Sequence, residues 1–472
     1  MAISIEKSSM WKDISAVLNS NYNYTHIVYQ GVIHTELEDY PVLAITTIDI
    51  VRDYLKNIGD HINIIFILSM GDYAVRFYPF KNNLEMTLTL SYSPNNNNPT
   101  RIPPKPLKQR YKLVFLPDNN LHLDTSDASM MDKQTLDLLE PVTVRAQLLD
   151  RALEPLRIKM TSGIYPNIKQ ETLLRSVLGQ QSNLILVDGK PCLDAIDIFP
   201  PDNTDLQYHI VIPSNTRVVD IPQYLQEDMN GVYSSGLGSY LQTYNNKKTW
   251  FIYPLYNTNR FNDTRTSDIK ATFYFLPKFR YRGIDNTYTV NGNNITILCS
   301  SDKSYQDDGE TQYMNKGVGF QQADARAFMG KPVVMSETGP KGNPAQLSTL
   351  VANASRDDGL NYAPNSREGI SSNPFKQYSD ISKRNVSRID MVWEYSDPSL
   401  IYPGMPCQFV YLENNTLTTI YGVIMYSHTV VAKATNSLQN TLFTRHTFIT
   451  ILASRKPKIT TADSSMPVSI NR

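Results

Sequence analysis

The chain has 472 residues, with 45 Lys plus Arg balanced by 45 Asp plus Glu, so it lacks the basic excess with which a nucleic-acid binder neutralises phosphates. Its length exceeds what one ordinary core serves and points to two to four domains. Cys192, Cys299 and Cys407 have neither CxxC nor Cys/His spacing, which gives no sign of a disulfide framework or a zinc site. No apolar run reaches the 18 residues of a membrane-crossing helix.

Residues 9–19 place Trp11, Ile14, Val17 and Leu18 on one helical face behind a serine, which predicts a short amphipathic helix and a first unit at 1–19. Residues 40–93 read as strands interrupted by one helical excursion. Ile45, Thr47, Asp49 and Val51 alternate with Ala44, Thr46, Ile48 and Ile50; the run 62–70 is apolar on both faces; Met86, Leu88 and Leu90 alternate with Thr87 and Thr89. This patterning predicts a curved sheet, with a unit at 20–106 ending in the proline-rich turn chemistry of 93–106. A basic run at 101–112 reads as a solvated linker.

A mixed α/β unit is expected at 107–205. It would hold a strand at 112–116, a short helix at 132–139, an ambiguous stretch at 142–159 and a helix at 168–178 stopped by Gly179. Asp188 and Gly189 form a hairpin cue weakened by Pro191. A β-rich connecting unit follows at 206–299, with a strand at 207–213, a helix at 221–229 and an aromatic strand at 249–256. The glycines of 231–242 lack any phosphate-loop spacing and read as bends. Asn291 and Gly292 predict a two-residue type I′ hairpin within 287–298. Residues 300–385 are polar and expected to be extended or looped, with a helical turn or two at 323–329. A second sheet-forming unit spans 386–457: Met391, Trp393 and Tyr395 mark one strand, a hairpin turns at Asn414 and Asn415, and 446–452 closes the unit before a tail at 458–472. The fold class expected is mainly β with minor α. The two sheet-forming stretches raise a suspicion of duplication, though they do not align residue by residue.

The sequence carries no recognisable catalytic signature. The histidines His26, His34, His61, His122, His209, His428 and His446 are dispersed, and GxSxG and HExxH do not occur. The acidic clusters Glu36/Glu38/Asp39 and Asp307/Asp308/Glu310 read as solvated surface. No catalytic, cofactor-binding or metal residue is assigned, no cofactor is called, and the chain is expected not to be an enzyme.

The stretches VDGKPCLDAIDIF at 187–199, HIVIP at 209–213, GVYSSGLGSYLQ at 231–242 with TWFIYPLYNTNRF at 249–261, and VWEYSDPSLIYPGMPCQFVYLENN at 392–415 followed by IYGVIMYSHT resemble, in combination, the tail hub (baseplate hub) proteins of contractile-tailed bacteriophages, over roughly residues 20–455. That resemblance implies that 20–106 and 386–457 are tube-like, barrel-like domains and that three copies form a ring between the sixfold tail tube and the threefold central spike. Edge strands would pair with those of neighbouring subunits. It further implies tail tube and central spike proteins as partners, tape-measure and baseplate-wedge proteins as further candidates, DNA only in transit through the lumen, and a virion location after assembly in the host cytoplasm. No spike or lysozyme domain is visible on the chain. Trp11, Trp250 and Trp393, with many Tyr and Asn, motivate the alternative of a carbohydrate- or receptor-binding virion protein. A cell-wall hydrolase is the third reading.

Overall fold

A computed structural model describes residues 10–20, 26–93, 106–116, 141–263, 268–276, 287–300, 305–306, 334–336, 339–341, 373–384, 386–413, 416–434, 442–454 and 458–461. The architecture is mainly β with a few helices, as the strand patterning predicts.

The first seven main strands are β1 (His26–His34), β2 (Asp39–Pro41), β3 (Ala44–Asp53), β4 (His61–Ser69), β5 (Glu85–Ser93), β6 (Leu107–Phe115) and β7 (Pro141–Asp150). The predicted helical excursion lies between β4 and β5, as a wide-turn segment Asp72–Phe77 and a 3-10 turn Tyr78–Phe80. Six of these strands run in the spatial order β3-β4-β7-β6-β5-β1, each pair antiparallel. Two long strands from far along the chain, Thr416–Lys433 and Leu442–Ser454, close this sheet: the former pairs with β3, the latter with β1, and they pair with each other. The result is an eight-stranded antiparallel barrel. Ile27, Ile64, Phe66, Met86, Val144 and Phe443 point into its core. In β3 a register shift between Ile45 and Thr47 breaks strict alternation, so Ile45 and Ile48 are both buried although three positions apart.

Residues 153–254 build a separate core. After the helix Leu153–Ile158, strands β8 (Met160–Ile168) and β12 (Gln207–Arg217) form a two-stranded ribbon. Between them lie the helix Gln170–Leu184, the small hairpin β9 (Leu186–Val187) and β10 (Lys190–Pro191), and β11 (Ala195–Ile198). After the helix Ile221–Glu227 come β13 (Leu237–Tyr244) and β14 (Lys247–Pro254); β14 sits between β13 and the parallel β11.

The second barrel starts from β15 (Lys270–Phe275), β16 (Tyr288–Asn291), β17 (Asn294–Cys299) and β18 (Tyr305–Gln306), then, beyond a small hairpin of β19 (Val334–Ser336) and β20 (Gly339–Lys341), takes β21 (Val386–Glu394), β22 (Pro406–Glu413), the two long strands, which are β23 and β24, and β25 (Lys458–Thr461). Its wall runs β23-β22-β15-β17, crosses to β21 by the bridge Ser300 to Val392 and the β18–β21 pairing, and returns through β24 to β23. β15 pairs in parallel with both β17 and β22. Trp393, Phe273, Phe409, Ile297 and Ile451 fill it. The helix Trp11–Leu18 packs Ile14 and Val17 on the outside of this wall, against Tyr274, Leu298 and Val410, as its amphipathic face requires.

Several expectations are corrected. β6 and β7, assigned by sequence to a mixed α/β unit, belong to the first barrel, because their alternating residues Tyr111, Leu113, Val142 and Val144 are needed to fill it. β15 to β17, assigned to a connecting unit, are wall strands of the second barrel. The helix expected to stop at Gly179 continues to Leu184, since a missing side chain costs a helix interior only about 1 kcal/mol. The 288–299 hairpin turns one residue later than expected: Asn291 pairs with Asn294, and positive φ occurs at Gly292 alone, the pattern of a type II′ turn. The ambiguous stretch resolves into the strand Pro141–Asp150 and the helix Leu153–Ile158. Within the region expected to be looped, Pro374–Arg384 is helical. The Asp188–Gly189 hairpin forms, with both residues at positive φ. The turn at 414–415, the helices at 132–139 and 323–329 and most of the 93–106 linker lie outside the described residues.

Candidate assembly surface and the seam between the barrels

The two barrels are welded by β23, of 18 residues, and β24, of 13. Thr416 to Val423 of β23 pair with β22 in the second barrel, whereas Tyr426 to Ala432 pair with β3 in the first. A register shift between Ile424 and Tyr426 marks the changeover, where the extra residue bends the strand from one wall into the next. Gly422 lies beside it, and a Cβ there would stand 2.5 Å from the carbonyl oxygen of Leu452.

Across the seam the registers place Val51, His428, Phe448 and Val392 in one row over four strands, β3-β23-β24-β21. The outer face is therefore continuous from one barrel to the other. His428 Nε2 lies 2.8 Å from Asp49 Oδ1, and the rings of His428 and His446 flank Phe448 at 5.9 and 5.3 Å. Phe448 is 42% exposed.

Beneath this face the seam is polar. Thr447 Oγ1 is 2.8 Å from Thr429 Oγ1 and 2.6 Å from Ser396 Oγ, all buried. Arg52 on β3 donates to Asp60 at 3.2 Å and to the carbonyl of Pro398 at 2.7 Å. Burial disfavours its cation, but Asp60 together with the phenols of Tyr54 and Tyr240 outweighs that and holds the pKa above its usual value. Tyr240 donates to the other oxygen of Asp60 at 3.1 Å, Tyr54 donates to Gln242, and Gln242 donates to the carbonyl of Ile401 at 2.6 Å. Burial pushes the phenols of Tyr54 and Tyr240 well up. This chain of contacts ties the first barrel, the 396–401 segment and the β13–β14 sheet together.

The chemistry-bearing groups seen in the sequence are mostly structural. Burial pushes the Cys192 thiol up to about 11 and those of Cys299 and Cys407 higher, the opposite of an activated thiolate. His34 bonds Asp39 and Thr87, each at 2.6 Å, and His61 bonds Gln147 at 2.9 Å. Among the described residues no three His, Cys, Asp or Glu side chains are placed to hold a metal. Glu36 and Glu38 sit on the β1–β2 turn and Asp39 opens β2, bonding Asn83, Tyr40 and His34 respectively; Asp307, Asp308 and Glu310 lie outside the described residues. Of the basic run, Arg110 and Lys112 pair with Glu85 and Glu154. Trp250 and Trp393 are fully buried, so neither offers the open ring face on which a sugar stacks. No helix among the described residues is long and apolar enough to cross a membrane.

The sequence signal missed the seam, because a strand that changes partners midway has no local mark beyond length. It also passed over Asn245 and Asn246, whose positive φ values build the β13–β14 turn.

No protein-family model matches the chain, and no curated protein matches it. Among solved structures it is similar to a tail protein from Neisseria meningitidis MC58, with a TM-score of 0.42 at 8% identity, covering 90% of this chain and 96% of that one. It is likewise similar to the 43 kDa tail protein of prophage MuSo2 from Shewanella oneidensis, with a TM-score of 0.42 at 10% identity over 89% and 98% of the two chains. A third is the E. coli c3393 protein, described as a type VI secretion component with structural similarity to T4 tail proteins gp27 and gp5, at TM-score 0.39 and 9% identity, covering 90% of this chain and 77% of that one.

Proposed function

We propose that the chain is a non-enzymatic structural protein of a phage tail, a hub that joins a sixfold tube to a threefold spike as a ring of three copies and surrounds the DNA path. The observation that carries this reading is the pair of closed β barrels lying side by side and fused through β23 and β24. Three such chains would set six barrels in one ring, and the fusion would fix their spacing. The barrels differ inside: the first is wholly antiparallel with eight strands, while the second has six wall strands and two parallel pairings. Sixfold likeness would therefore reside in the outer faces and not in strand order. Edge pairing between subunits, expected from the resemblance, does not suit the first barrel, whose eight wall strands are already paired on both sides.

A contact surface is offered instead by the β8–β12 ribbon, where Ile164 is 72% exposed opposite Val211 and Tyr208 is 86% exposed. The purified chain should give a particle of three times its 53.6 kDa mass by mass photometry, with a ring in electron micrographs. Ile164→Asp combined with Tyr208→Asp should return monomers with unchanged circular dichroism. A wild-type chain that stays monomeric at high concentration would sink the proposal.

A further inference from the structure

At one mouth of the first barrel, between the strands and the 397–400 segment, lies a cavity of about 360 Å³, within the size range of small-molecule sites. Its wall is aliphatic, from Ile48, Ile50, Ile62, Leu88 and Leu90. Its rim is polar, and two groups there have spare hydrogen-bonding capacity. Tyr29 is only 8% exposed, yet its hydroxyl makes no hydrogen bond among the described residues. Gln109 accepts from Tyr111 through its oxygen and leaves its amide nitrogen unused among the same residues. The Tyr29 hydroxyl is not among the fully buried unpartnered atoms of the described residues and Tyr29 lines the cavity, so this hydroxyl is open to a hydrogen bond from something that enters it.

Charge narrows the class of guest. One cation and one anion line the cavity, and both are engaged: Arg52 with Asp60 and the Pro398 carbonyl, Asp397 with the backbone and hydroxyl of Ser399 and the hydroxyl of Tyr92. A charged guest would have to displace these bonds in a site that repays little. We infer that the barrel mouth binds a neutral amphipathic molecule, an aliphatic chain lying along the leucine and isoleucine wall with a hydroxylated head at Tyr29 and Gln109.

The test uses monomeric n-octyl β-D-glucopyranoside, below its micelle-forming concentration, titrated into the full chain by calorimetry. Octanoate and octyltrimethylammonium serve as charged analogues. Saturable binding of the glucoside, at least tenfold tighter than either analogue, is expected. Leu88→Trp should abolish it by filling the cavity, and Tyr29→Phe, which leaves the ring in place, should weaken it about five- to tenfold. Should Leu88→Trp fail to fold, Tyr29→Phe carries the test alone. Absence of saturable binding, equal binding of the charged analogues, or indifference to Tyr29→Phe would each overturn the inference. The measurement needs only the folded chain, so its outcome is separate from that of the ring.

Discussion

Replacing Gly422 with Ala should damage the molecule at its seam. The new Cβ would meet Leu452 O at 2.5 Å, Leu452 C at 3.2 Å and Ala453 Cα at 3.3 Å. All three are main-chain atoms of β24, so no side chain can swing aside, and relief requires the two shared strands to separate at the seam. Overpacking of this kind costs about 1–3 kcal/mol, and the rigid obstacle argues for the upper end. Alanine recovers about 0.4–1 kcal/mol through the unfolded chain, leaving a net loss of about 2 kcal/mol and, for a chain of this length, a melting point lower by about 2 °C. Gly179→Ala is the matched control: it sits inside a helix with nothing within 4 Å of the added carbon and should stabilise by up to about 1 kcal/mol. Thermal and urea denaturation of the three proteins decide the matter. If Gly422→Ala unfolds within about 0.5 kcal/mol of wild type, the usual spread for neutral surface changes, the seam is not the rigid weld described above.

Arg52→Ala should cost about 3 kcal/mol by taking the cation from the partly buried Asp60, while the double change Arg52→Met with Asp60→Leu should recover most of it; denaturant midpoints check both. Burial raises Tyr29 and Tyr244 from 10.0 to about 12. The folded chain thus holds protons that the unfolded chain releases, so their contribution is complete below pH 10 and is lost as the pH rises from 10 through 12. Phenolate absorbance against pH, with and without denaturant, should show these two hydroxyls titrating late, and a single transition near 10 in the folded protein would contradict it. Cys192, Cys299 and Cys407 should ignore a thiol reagent at pH 8 in the native protein and react in denaturant.

What the sequence made legible is what neighbours along the chain decide. The Trp11–Leu18 helix, the alternation of Met86, Leu88 and Leu90, and the Asp188–Gly189 turn each depend on residues a few positions apart. Ile27 against Phe443, Val51 against His428 and Ala271 against Cys407 do not; nothing in their local sequence selects those partners over others with similar alternation. Small register errors have the same origin. The β3 shift at Ile45 and the late turn at Gly292 each move the pattern by one residue, which composition alone does not fix. The cavity at Tyr29 was equally hidden, because a tyrosine in a strand reads as core whether or not its hydroxyl finds a partner.

The closure of the first barrel by β23 and β24 also sets an order of events in synthesis. Its opening strand begins at His26, but the neighbours that complete it do not emerge until residues 426–443 have left the ribosome. Until then the nascent chain carries an open sheet with bare hydrogen-bonding flanks, the kind of intermediate that folds slowly and sticks to itself. A chaperone or an early-arriving sibling subunit that shields those flanks would therefore govern yield, and truncation anywhere before β24 should give aggregate in place of a half-size product.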